Sequence, residues 1–64
     1  MTAPLAVSVK TAAAMTDLSE TTIREAIDKQ RLPAYRVGRA IRVLVVDLQA
    51  WLAGLTRVGS EEDQ

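Results

Sequence analysis

The sequence holds no cysteine, no histidine and no phenylalanine, and only one tryptophan and one tyrosine. Each absence closes off a class of chemistry. Without cysteine, neither a disulfide nor a thiolate zinc site can staple a small fold. Without histidine, the commonest general base and the commonest metal ligand are both gone. The body keeps only scattered acids (Asp17, Glu20, Glu25, Asp28 and Asp47) and a few hydroxyls. A non-enzymatic protein with no metal and no cofactor is expected. No apolar run approaches the ~20 residues that span a bilayer, and no basic-then-apolar leader opens the chain. A soluble protein of the cytoplasm, away from membranes, follows as an expectation. Its 64 residues make one small domain, of a size that buries only about 60% of its unfolded surface and is marginally stable.

What is present is charge that balances overall and not locally. Eight basic and eight acidic residues cancel, but Glu61, Glu62 and Asp63 crowd the end of the chain. Between Arg31 and Arg42 stand four arginines and no acid at all. The stretch AYRVGRAIRV, residues 34–43, is thus an apolar ribbon carrying Arg36, Arg39 and Arg42.

The rest of the chain reads in order. Residues 1–4 are expected to be a disordered lead, 5–56 the folded domain and 57–64 an acidic, disordered tail. LAVSV (5–9) is a short β-prone run in which Ser8 can cap a helix. Val9, Ala12, Ala13 and Thr16 keep the i, i+3, i+4, i+7 spacing of a first helix. Asp17 and Leu18 interrupt. Ser19 is a second capping residue, with Glu20 in the favourable first turn. Ile23, Ala26 and Ile27 then stripe a second helix to about Gln30. Helix, four-residue break, helix is the spacing of a helix-turn-helix.

Beyond Pro33 the apolar residues alternate at period two around Gly38, the pattern of a β-hairpin. A three-residue loop, Gly38-Arg39-Ala40, pairs Val37 with Ile41 and Arg36 with Arg42. That register gathers Tyr35, Val37, Ile41 and Val43 on an inner face, and apolar patterning favours it over a two-residue loop. Arg36 and Arg42 then point outward, with Arg39 at the tip. Leu48, Trp51, Leu52 and Leu55 mark a last helix, with Asp47 near its start and Arg57 beyond its end. Tyr35 and Trp51, the only aromatics, are expected in the core. The fold class is mostly α with a small hairpin: three helices plus a wing, a winged helix-turn-helix.

Guanidinium groups match phosphate geometry and stay charged, so a hairpin with three of them and no acid suits a nucleic-acid backbone. On the second helix, Arg24 can read guanine, and Thr21 or Thr22 can touch a phosphate or a thymine methyl. Glu25 and Asp28 keep the middle of that helix off the DNA, so docking through its first turns is expected. The Glu20–Arg24 spacing also suits an ordinary i, i+4 pair.

The segment SVKTAAAMTDLSETTIREAIDKQRLPAYRVGRAIRVLVVDLQAWL resembles the excisionase family of phage DNA-binding proteins, which have a MerR-like winged-helix fold. The resemblance covers residues 7–55. It is carried by the alanines of the first helix, LSETTI, LPAYRVGRAIRV and DLQAWL, of which LPAYRVGR is the most specific. Asp17 and Gln30 stand where such proteins usually have glycine. Val45 and Val46 precede the last helix where a polar cap is common, and Glu20 replaces a frequent basic residue.

The resemblance implies a recombination directionality factor that binds attachment-site DNA, bends it, and contacts the phage integrase. It places Ser19, Thr21, Thr22 and Arg24 at the major groove. Arg36, Gly38, Arg39 and Arg42 form the wing in the minor groove, whose narrow stretches attract arginine. A small transcriptional regulator of the same fold is the alternative reading. A protein-binding module, such as an antitoxin-like adaptor, is the third. Self-association is also expected, because LAVSV and IRVLVV would leave strand edges unpaired.

Overall fold

The computed structural model describes residues 4–55. The expected lead at 1–4 (Pro4 excepted), the tail at 57–64 and Arg57 lie outside the described residues. In order, the elements are β1 (Ala6–Val7), α1 (Val9–Thr16), α2 (Glu20–Asp28), β2 (Tyr35–Val37), β3 (Ala40–Leu44) and α3 (Val45–Ala53). The three strands form one antiparallel sheet in the order β1-β3-β2. Three helices with a hairpin make this a winged helix-turn-helix fold.

Both helices of the helix-turn-helix start as their sequences dictate. Ser8 accepts from the Thr11 backbone N–H, and Ser19 from that of Thr22, each satisfying a donor the helix itself leaves orphaned. Both also end alike. Asp17 and Gln30 take left-handed backbone at φ 59° and 60°. Around Asp17, the N–H of Leu18 reaches back to the Ala13 carbonyl and that of Asp17 to Ala14. Around Gln30, Arg31 reaches Ala26 and Gln30 reaches Ile27. Each is a Schellman closure, which turns the chain sharply while satisfying the last carbonyls. The first closure leaves three residues, 17–19, between α1 and α2, one fewer than expected.

The core is small and aliphatic. Val7, Val9, Ala12, Ala13, Ile23, Ala26, Leu32, Val43 and Leu48 are buried, with Ile27, Ile41 and Trp51 among the half-buried residues packed on them. Ala12 and Ala13 let α2 approach α1 closely. Leu32, only 1% exposed, sits just beyond the second Schellman turn. Its N–H donates to the Ala26 carbonyl at 3.2 Å, which ties the connecting segment to α2.

The hairpin differs from the expected register. Tyr35 pairs with Arg42, Arg36 with Ile41 and Val37 with Ala40, so the loop is the two residues Gly38-Arg39. Gly38 has φ +61° while Arg39 does not share the positive φ. That combination belongs to the type II′ turn, whose twist matches the flanking strands and which takes glycine first. The one-residue difference exchanges faces. Tyr35 and Val37 lie on the face away from the core, 51% and 67% exposed, so Tyr35 is not a core residue. Arg36 and Arg42, expected side by side on the outer face, project to opposite faces of the sheet, because neighbours along a strand alternate and cross-strand partners share a face.

Two further corrections concern the strands and the last helix. Val7 pairs with Val43 and Ala6 with Leu44. β3 is therefore the central strand: β1 covers it at Val43 and Leu44 and β2 covers its other side from Ala40 to Arg42, so the edges expected to be free in LAVSV and IRVLVV are paired in part with each other. α3 begins at Val45, directly from β3, so Val45 and Val46 belong to the helix. Its cap Leu44 offers no side-chain acceptor. Asp47 in the first turn supplies favourable charge instead. Of the expected stripe only Leu48 is fully buried. Trp51 is half-buried, and Leu52 and Leu55 are exposed.

Candidate nucleic-acid interface

α2 divides its exposed residues between two flanks. Glu20 and Arg24 lie on the flank that faces α1 and the hairpin, where a concavity of about 360 Å³ opens. Its charged lining is Lys10, Arg24, Arg39 and Arg42, with Glu20 as the one acid. Four cations from three separate elements meet there because the antiparallel pairing of β1 with β3 carries the hairpin past the start of α1. Beside it, Val9, Ile27 and Ile41 wall a smaller hollow of about 180 Å³ that Arg24 and Asp28 also border. Arg24 thus borders both the apolar hollow and the charged concavity.

The individual side chains are placed as follows. Arg24 Nη2 lies 3.8 Å from Glu20 Oε1, the i, i+4 pair expected from the spacing. Arg39 stands in the turn after Gly38 and lines the concavity. Arg42 Nη1 donates to the Ile41 carbonyl at 2.8 Å, holding its guanidinium close to β3. Ser19 and Thr22 are occupied with each other: their hydroxyl oxygens are 2.9 Å apart, and the Thr22 N–H donates to Ser19 Oγ. Thr22 also borders the opposite groove, between α2 and α3, with Lys29, Arg31 and Trp51. Thr21 is exposed.

The structure therefore gathers Arg24, Arg39 and Arg42 and leaves the other expected residues apart. Thr22 sits on the far flank of α2, and Arg36 projects from the hairpin without lining the concavity. Lys10 joins the cluster without being among the residues expected from the sequence. A signal was available: a cation in the first turn of a helix opposes the helix dipole, which gives it a reason to serve something other than helix stability.

An exposed helix flank and a hairpin loop converge on one basic concavity, the layout of a helix-turn-helix protein with a wing. A family model described as a helix-turn-helix domain matches residues 6–56. The chain belongs to this helix-turn-helix family. No curated protein and no solved structure matches it. As a helix-turn-helix domain it is a DNA-binding module. Among the described residues there is no helix long and apolar enough to cross a membrane.

Proposed function

We propose that the protein is an excisionase: a non-catalytic DNA-binding and DNA-bending protein that turns a phage integrase toward prophage excision. The observation that carries the DNA-binding part is the concavity between α2 and the hairpin, lined by Lys10, Arg24, Arg39 and Arg42. The similarity of LPAYRVGRAIRV and LSETTI to excisionases supports the rest. In this reading the first turns of α2 enter the major groove. Thr21 and Arg24 meet base edges, and Ser19 and Thr22 lie beside the phosphates as they cap the helix. The hairpin enters the adjacent minor groove with Arg36, Arg39 and Arg42, and Gly38 shapes its tip. The helix and hairpin then straddle a backbone strand, which crosses the concavity. Copies lined up along an attachment site would meet through the outer edges of β1 or β2.

Two measurements test this. Binding to duplex DNA should weaken with salt at a slope near −3.6 for about four neutralised phosphates; a flat titration removes DNA from the account. Arg39→Ala should weaken binding to every sequence, whereas Arg24→Ala should also relax base preference. The recombination role is tested by mixing the protein with the integrase and attachment sites and scoring excision against integration. No change in direction would leave the second reading, a small transcriptional regulator, which the generality of the matched family favours.

A further inference from the structure

The concavity contains an acid that a simple phosphate seat would exclude. Glu20 opens α2 and lines the same surface as Lys10, Arg24, Arg39 and Arg42. Its pairing with Arg24 does little for stability. The closest approach is 3.8 Å, too long for a hydrogen bond, and the two side chains are 63% (Arg24) and 48% (Glu20) exposed to screening water. The pairing instead decides what the surface offers a ligand: the carboxylate one turn earlier sets an acceptor beside the guanidinium donors. The same carboxylate repels any phosphate that approaches it.

A base edge presents different chemistry. In the major groove a C·G pair offers the cytosine N4 amino donor beside the guanine O6 and N7 acceptors. Glu20 can accept from the amino group while Arg24 donates to guanine, so both charges find partners at once. A phosphate can satisfy only the arginine.

Building on the DNA-binding reading, we infer that Glu20 is a specificity-determining residue, which lowers affinity for the DNA backbone and directs Arg24 to a C·G base-pair edge. Glu20→Gln removes the charge and keeps the shape, at an exposed position where the fold does not depend on it. The probes are a duplex enriched from a random pool by the wild-type protein and a scrambled duplex of equal length and composition. Fluorescence anisotropy over a salt series reads both.

With E20Q, Arg24 becomes free to make one more phosphate contact on the scrambled duplex. Its affinity should rise about eightfold at ~0.1 M salt, with a slope steeper by about 0.9. The enriched duplex should gain less, so the ratio between the two falls, and a pool selected by E20Q should lose a C·G position. An unchanged slope and ratio, or weaker binding of the scrambled duplex, overturns the inference while leaving DNA binding intact. Failure of the wild-type protein to bind either duplex removes the DNA-binding reading itself, and this inference with it.

Discussion

Gln30 holds left-handed backbone at φ 60° with a full side chain. An L-residue pays roughly 1–2 kcal/mol for that conformation, because its Cβ crowds the following carbonyl oxygen. Glycine would remove the clash but loses about 0.5–1 kcal/mol more entropy on folding. Gln30→Gly should therefore stabilise the domain by ~0.5–1 kcal/mol, raising the melting temperature by roughly 3–6 °C. Asp17→Gly should gain less, since aspartate tolerates this region better than most residues. A thermal melt in which Gln30→Gly lowers the midpoint would contradict the strain argument. Both positions were legible as places where the excisionases that the sequence resembles usually have glycine. Leu32 and Tyr35 were not legible as what they are. Leu32 lies in a connecting segment with no period to mark it, yet it is among the most buried side chains. Tyr35 has the composition of a core residue and lies on the face the core does not use.

At the scale of the element, the hairpin shows why that happened. Its apolar residues can be sorted onto one face in only one register, and apolar sorting alone selects a three-residue loop. Turn geometry selects the other register. Glycine comes first in the loop, where a type II′ turn needs positive φ, and not last, where a three-residue loop needs it. The turn prevails because β3 is already anchored by Val43 against Val7, leaving the short β2 to follow. A Cβ added at Gly38 would meet nothing within 4 Å, so the cost of Gly38→Ala is purely conformational. It should be about 1–2 kcal/mol, concentrated in the hairpin. DNA affinity should fall as Arg39 loses its placement, while the helices keep their circular-dichroism signal. Full affinity in Gly38→Ala would argue against a role for the wing. The helix starts needed no such arbitration, because capping by Ser8 and Ser19 is local chemistry readable from adjacent residues.

The whole molecule is organised around β3, the strand that pairs on both sides and runs straight into α3. This changes the argument for self-association. With β3 paired to β1 at one end and to β2 at the other, the full-length edges left among the described residues are the outer ones of β1 and β2, strands two and three residues long. Short edges resist adventitious pairing. Sedimentation should therefore give a monomer in free solution and multi-copy complexes only on DNA long enough to hold neighbours. A monomer both with and without DNA would remove self-association from the proposed function. The charge distribution also belongs to this scale. A chain of zero net charge presents a basic concavity because residues from positions 10, 24, 39 and 42 converge there.

The sequence alone determined the caps of the first two helices, the helix-turn-helix to within one residue of its break, the arginine-rich hairpin and the absence of cysteine and histidine chemistry. These rest on neighbouring residues, a few positions apart, where backbone and side chain decide together. Only the tertiary structure decided the hairpin's register, the burial of Leu32, the exposure of Tyr35 and the place of Lys10 and Glu20 among the arginines. Those depend on pairing between β1 and β3, residues that lie more than thirty positions apart, and local chemistry does not encode which side of a ribbon a distant partner will cover.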